Sequence, residues 1–305
     1  MIYISFAAMQ RITYYIFRAT VGLFSWIPMP LLYFISNGLY YLFYYVVHYR
    51  KPVIEKNLKN SFPEKTETEI EQITKDFYRN FCDIFLEGLK GLSMNKEELV
   101  KRYRLLNTDI LIPYYNSGKS IITVGSHYTN WEWGVLCASL QVQYKTLGFY
   151  KPLTNKLIDD YFKTSRAAWG MHLISIFETA KAFAENRDIP SAYILIADQS
   201  PSRKDADKSF WIRFLGQDTA FLHGMEKYAT INNFPVIFLD IQRVKRGFYE
   251  VTLSLLEPEE MDKPGMITKA YARKLESIIR ANPANWLWSH NRWKLKAAAH
   301  HEIIQ

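Results

Sequence analysis

Short apolar runs that alternate with stretches of helical spacing constrain the fold of this chain more than any other feature. The β-branched run Ile121-Ile122-Thr123-Val124 ends at Gly125-Ser126 and reads as a buried strand. Strand-like runs recur at 146–150, 192–197, 236–241 and 250–255, and the spacing between them predicts helices near 155–168, 178–187, 223–233 and 266–281. This alternation predicts an α/β fold, with a mostly parallel central sheet flanked by helices. Upstream, Thr66-x-x-Glu69 is a capping box. Ile70, Ile73, Phe77, Phe81 and Ile84 continue it as an amphipathic helix packed on the core. Asn95 with Glu98 opens a short helix, and Thr108 opens another that Gly118 closes. The tail from Ala297 is expected to fray, and His300 and His301 within it are not expected to be ligands.

The N-terminus is of a different kind. No charged residue occurs from Ala19 to Val47, a run long enough to cross a bilayer, but Pro28 and Pro30 split it. A span and a helical hairpin dipping into one leaflet both fit. Arg50, Lys51, Lys56 and Lys59 follow at once, which places the rest of the chain on the cytoplasmic side. Residues 1–50 are thus expected to be an N-terminal membrane-associated helical segment and 51–305 a globular domain. A chain of 305 residues, 49% hydrophobic, is ample for one sizeable core. The net charge of +8 calls for an anionic partner. With 21 Tyr, 19 Phe and 8 Trp beside an apolar leading segment, that partner is expected to be a lipid surface and not nucleic acid. Two cysteines give no disulfide framework, and Cys137 among Val135, Leu136 and Ala138 reads as a core residue.

The chemistry concentrates after the first strand. His127 stands where α/β sheets place reactive groups, at a strand's carboxyl end, and Glu132 follows five positions later. On one continuous helix such residues point about 140° apart, so they meet only if His127 sits in the turn and Glu132 inside the helix. Glu132 is then expected to orient the imidazole while His127 takes a proton from a substrate hydroxyl. Asn130 is a candidate cap for that helix and a candidate substrate contact, and Trp131 and Trp133 read as packing and membrane-interface residues, not reactants. Lys151 after a strand end and Arg166 one helix later are candidate anion-binding cations. Asp198, ending the run Tyr193–Ala197, either binds substrate hydroxyls or orders its own loop. Arg292, among Trp286, Trp288 and Trp293, is a candidate headgroup contact. No zinc, Walker or Gly-x-Ser-x-Gly motif occurs, so no metal or cofactor is expected.

The ordered set of Asn57-Leu58 with Ser61-Phe62-Pro63, His127-x4-Glu132, Tyr150-Lys151-Pro152 with Asn155, Arg166, Asp198-Gln199 and Trp286–Lys294 resembles the lipid A late acyltransferases. This lauroyl/myristoyl transferase family lies within the glycerolipid-type acyltransferase superfamily. The resemblance implies a fatty acyl chain passed from an acyl carrier protein thioester to a hydroxyl of a lipid A precursor, at the cytoplasmic face of the inner membrane. His127 and Glu132 would be catalytic. Ala167-Ala168-Trp169-Gly170 departs from the further basic residues often found in the family, which leaves another glycolipid or an amino-acid lipid open as acceptor. A non-enzymatic lipid-binding protein on the same fold is the alternative class. The N-terminal segment, the aromatic residues and the basic balance suit it, but it leaves an intact His127 and Glu132 pair unexplained.

Overall fold

A computed structural model describes residues 6–260 and 263–305; the first five residues of the expected membrane segment lie outside the described residues. The charge-free run breaks at its prolines as expected. It forms α1 (Phe6–Trp26), α2 (Met29–Tyr41) with Pro at its start, and a π-helical turn at Leu42–Val46. Among the described residues no helix is long and apolar enough to cross a membrane. α3 (Lys51–Ser61) follows, then α4 (Glu67–Gly91), opened by the Thr66/Glu69 capping box, and α5 (Lys96–Arg102), capped by Asn95.

Strand β1 (Tyr103–Leu105) and α6 (Ile112–Asn116) lead into β2 (Ile121–Gly125), buried along its whole length, and α7 (Trp131–Cys137). The next segment runs β3 (Lys145–Tyr150), α8 (Lys156–Ala167), β4 (Met171–Ser175), α9 (Thr179–Glu185) and β5 (Ser191–Ile196). A hairpin of β6 (Ser209–Phe214) and β7 (Gln217–Leu222) follows, then α10 (Gly224–Asn232), β8 (Val236–Lys245), β9 (Phe248–Leu255) and α11 (Met266–Ala281). The β6–β7 turn holds Leu215 and Gly216 at φ +47° and +73°, the left-handed pair that a two-residue hairpin matching strand twist requires.

The main sheet has seven strands in the order β1-β9-β8-β2-β5-β3-β4. Its pairs are parallel except β8 with β9, so the expectation of a mostly parallel α/β sheet holds. The tail does not fray as expected. β10 (Ile303–Ile304) pairs with Trp211 and Ile212 of β6, and the His301 ring stacks on Trp211. Tertiary pairing outside the main sheet overrides the polar, small-residue character of that tail.

The N-terminal helices are docked, not splayed. Phe17 on the inner face of α1 packs against Tyr161 and Phe162 of α8, the Gln10 amide donates to the Thr154 carbonyl, and the Asn155 amide donates to the Gln10 carbonyl. Lys90 of α4 donates to the Phe24 and Ser25 carbonyls, capping the far end of α1 with positive charge. The opposite face of α1 and α2 leaves Phe6, Met9, Ile12, Ile16, Leu23, Trp26, Leu31 and Phe34 exposed.

Candidate active site

Parallel pairing builds the centre of the site. Gly125 of β2 lies opposite Ile196 of β5, so the residues two positions beyond, His127 and Asp198, emerge side by side at the carboxyl edge. His127 Nδ1 lies 2.7 Å from Asp198 Oδ1, and the His127 peptide N–H donates to Oδ2 at 3.0 Å. The Trp286 indole N–H also donates to Oδ2, at 2.8 Å. Burial, the largest influence, would raise the pKa of the 2% exposed Asp198 carboxyl. The charge of a protonated His127 and these hydrogen bonds outweigh it and hold Asp198 below the ordinary carboxylate range. An ionised Asp198 accepts a hydrogen bond from Nδ1–H, which leaves the lone pair of a neutral ring on Nε2. That nitrogen faces outward, 3.1 Å from the Gln199 amide nitrogen.

This arrangement corrects the expectation for Glu132. Both ring nitrogens of His127 have partners, and neither is Glu132. Residues 127–130 turn through a left-handed Thr129 (φ +53°), and Glu132 leaves in the first turn of α7. There it accepts from Arg166 Nη2 at 2.8 Å and from the Trp131 indole at 3.1 Å. The orienting position belongs to Asp198, which therefore does not order only its own loop.

Each residue of the turn is held by a different part of the chain. The Tyr128 hydroxyl donates to the Ile278 and Asn282 carbonyls, and the Thr129 hydroxyl to the Ile241 carbonyl. Asn130 caps α7 as predicted, accepting from Trp133 N–H at 3.0 Å. Its amide donates to Glu87 Oε2 at 2.8 Å, and it is fully buried, so it has nothing left for substrate. Glu87 also accepts from the Tyr33 and Tyr249 hydroxyls, and its peptide carbonyl accepts from the buried Trp133 indole. Gly91 makes this close approach of α4 and α7 possible, since a Cβ there would stand 2.6 Å from Trp133 Nε1.

A cleft of about 390 Å³ opens beside the turn between α4, α7 and α8, within the ~300–1,000 Å³ range of small-molecule sites. Phe81, Ile84, Phe85, Leu89, Leu153 and Phe162 make it apolar, while Glu132 and Arg166 place one ion pair in its wall. Trp131 joins the cleft to His127: its ring meets the His127 ring edge-on at 4.9 Å. It thus stands between the cleft and His127, where a packing and membrane-interface residue was expected. An apolar void of about 50 Å³ under α7 also begins at Trp131.

The other candidates fall elsewhere. Lys151 is exposed and is not among the residues that line the cleft. Arg292 is no headgroup contact: it is 2% exposed, donates to the Ala220 carbonyl and stacks over Phe221. Trp286 and Trp288 are likewise buried, and Cys137 is a core thiol whose pKa burial pushes up to about 12. One cluster of metal-ligand type occurs among the described residues, Asp207 with His300 and His301. There His301 Nδ1 accepts from the Ala298 N–H, so a neutral His301 carries its proton on Nε2, the nitrogen nearest Asp207. A metal ligand needs that nitrogen bare.

His290 accepts the Ser200 N–H on Nε2 at 3.1 Å and fixes the loop after Asp198. Burial first, then the Arg292 charge, pushes its pKa down to about 4 from 6.5. The unfolded chain therefore gains a proton below pH 6.5 that the folded chain refuses until about pH 4. Stability is whole above that window and falls through it, by about 1–2 kcal/mol once solvent screening is allowed for. His290→Gln, which can still accept from Ser200, is expected to flatten the decline in melting temperature between pH 6.5 and 4. An unchanged slope would show that His290 titrates normally.

Taken together, the fold and site define an α/β protein whose carboxylate-held histidine adjoins, through Trp131, a largely apolar cleft. The chain belongs to the bacterial lipid A biosynthesis acyltransferase family, whose sequence model matches residues 3–295, and the protein is an acyltransferase of that pathway. No curated protein matches the chain significantly.

Proposed function

We propose that this acyltransferase moves a fatty acyl chain from an acyl carrier protein thioester directly to a hydroxyl of a lipid A precursor. The observation that carries the proposal is the outward lone pair of His127 Nε2, fixed by Asp198 through Nδ1 and joined to an apolar cleft by Trp131. His127 takes the hydroxyl proton as the oxygen attacks the thioester carbonyl, and returns it to the departing thiolate. Asp198 keeps the ring in the correct tautomer and stabilises the imidazolium between the two transfers. The apolar cleft suits acyl chains, and the net charge of +8 suits an acidic carrier protein. Incubating the full-length protein in detergent with a radiolabelled acyl carrier protein thioester and a lipid A precursor tests this. A new acylated lipid is expected; failure to form one, with hydroxylated glycolipids and amino-acid lipids also unreactive, would sink it.

Arg166 is proposed to hold an anionic group of the acceptor, with Glu132 as the partner that fixes its direction. Arg166 Nε is buried without a hydrogen-bond partner, and Nη2 is tied to Glu132. Arg166→Ala is expected to raise the acceptor KM about tenfold, as loss of one charge-assisted contact does. Glu132→Gln, which retains an accepting oxygen, should do less. Unchanged constants for Arg166→Ala would return the pair to a structural role.

Membrane attachment is proposed to lie in the exposed apolar face of α1 and α2 at the cytoplasmic side of the inner membrane. That face, free of acidic residues and accompanied on α1 by the exposed Arg11, suits a helix lying in the headgroup layer. The full-length protein is expected to sediment with anionic vesicles, and Ile12→Glu together with Leu23→Glu should release most of it at about 0.15 M salt. Equal sedimentation of the double variant would place the attachment elsewhere.

A further inference from the structure

A tetrahedral oxyanion needs hydrogen-bond donors, and three of the peptide donors around His127 are already engaged. The His127 N–H goes to Asp198, the Thr129 N–H to the Asn285 carbonyl, and the Trp133 N–H to the Asn130 side chain. Arg166 is bound to Glu132. Beside the base nitrogen stands the side-chain amide of Gln199, 3.1 Å from His127 Nε2. Its orientation follows from the tautomer. With Nδ1–H donating to the Asp198 carboxylate, Nε2 of the neutral ring can only accept, so Gln199 must present its N–H end and not its carbonyl.

The side chain is exposed, but its backbone is clamped on both sides. Asp198 is held by His127 and Trp286, and the Ser200 N–H is held by His290. Ahead of them the Ala197 N–H donates to the Gly125 carbonyl, which ties the loop to β2. A donor on a fixed base thus fills the position that a substrate hydroxyl must take to reach Nε2.

Resting on the acyl-transfer reading above, we propose that Gln199 is a further catalytic residue, the donor to the oxyanion. The incoming hydroxyl displaces the amide from Nε2, and the freed N–H turns to the thioester carbonyl oxygen. The hydroxyl oxygen bonds to the carbonyl carbon, its proton passes to Nε2, and the π pair moves onto the oxygen that Gln199 faces. That pair then re-forms the carbonyl, the C–S bond breaks, and the thiolate takes the proton from Nε2.

The test compares Gln199→Ala, Gln199→Glu and His127→Ala in the full-length protein, with a lipid A precursor and an acyl carrier protein thioester each varied to saturation. Gln199→Ala is expected to lower kcat about 10²- to 10³-fold, the usual cost of one oxyanion donor, with both KM values within about threefold. Gln199→Glu should be no better, since a carboxylate has no N–H to offer. Because the side chain is exposed, the melting temperature of Gln199→Ala should not move. A kcat close to that of the native protein, or a loss confined to the acceptor KM, overturns the role. Transfer retained by His127→Ala would instead overturn the underlying reading; an inactive His127→Ala beside an active Gln199→Ala removes the Gln199 role alone.

Discussion

Replacing His127 with alanine is expected to lower transfer by about 10²- to 10⁴-fold, the contribution of a positioned general base. Its side chain is 18% exposed, so truncation leaves no large cavity. It does leave Asp198 without its ring partner, although the His127 N–H and the Trp286 indole still satisfy the carboxylate. The folded protein should therefore survive. Initial rates at saturating thioester, alongside a thermal melt, separate the two effects. Near-normal transfer by a folded His127→Ala would remove the proposed mechanism.

Asp198→Asn should be almost as damaging, for a different reason. The amide is nearly the same size and keeps one oxygen for the His127 N–H and the Trp286 indole. Its NH2 then faces His127 Nδ1, which must accept instead of donate, and the ring proton moves to Nε2. The base nitrogen is blocked while the fold is kept. A kcat loss of roughly 10²- to 10⁴-fold with little change in melting temperature is expected. Asp198→Ala should lose activity and stability together, because buried donors are left unpaired at about 1–3 kcal/mol each. A fully active Asp198→Asn would make Asp198 a loop anchor with no part in orienting the base.

Local chemistry made much of this fold legible. β-branched runs marked β2, β5, β8 and β9, and the Thr66, Asn95 and Asn130 caps marked helix starts. β1 was missed because three residues carry no period, and β4 because His172 and Ser175 interrupt its apolar run. The β6–β7 hairpin turns on Leu215-Gly216, which lacks the Asn-Gly or Asp-Gly signal. At the site, His127 was legible as a residue beyond a buried strand, but its partner was sought along the chain. The needed signal was parallel register: two strands that pair at Gly125 and Ile196 bring equal offsets together, and no periodicity within either strand encodes which strands pair. Arg292 and Trp286 misled for the same reason, since a Trp-rich segment reads as interfacial until the sheet edge beneath it is known.

The turn that carries His127 is tied mostly to residues far from it in the chain. Its four residues lean on Glu87, on Asp198, on Ile241, and on the segment from Ile278 to Asn285. Contacts of such long sequence separation form late, after the loops between them have closed. A nascent chain that has paired β2 with β5 but not yet docked α11 has an incomplete cage around its imidazole. If His127 is the base proposed above, its competence arrives with the last stage of folding, and a stalled or truncated chain lacks the cage that would hold the ring.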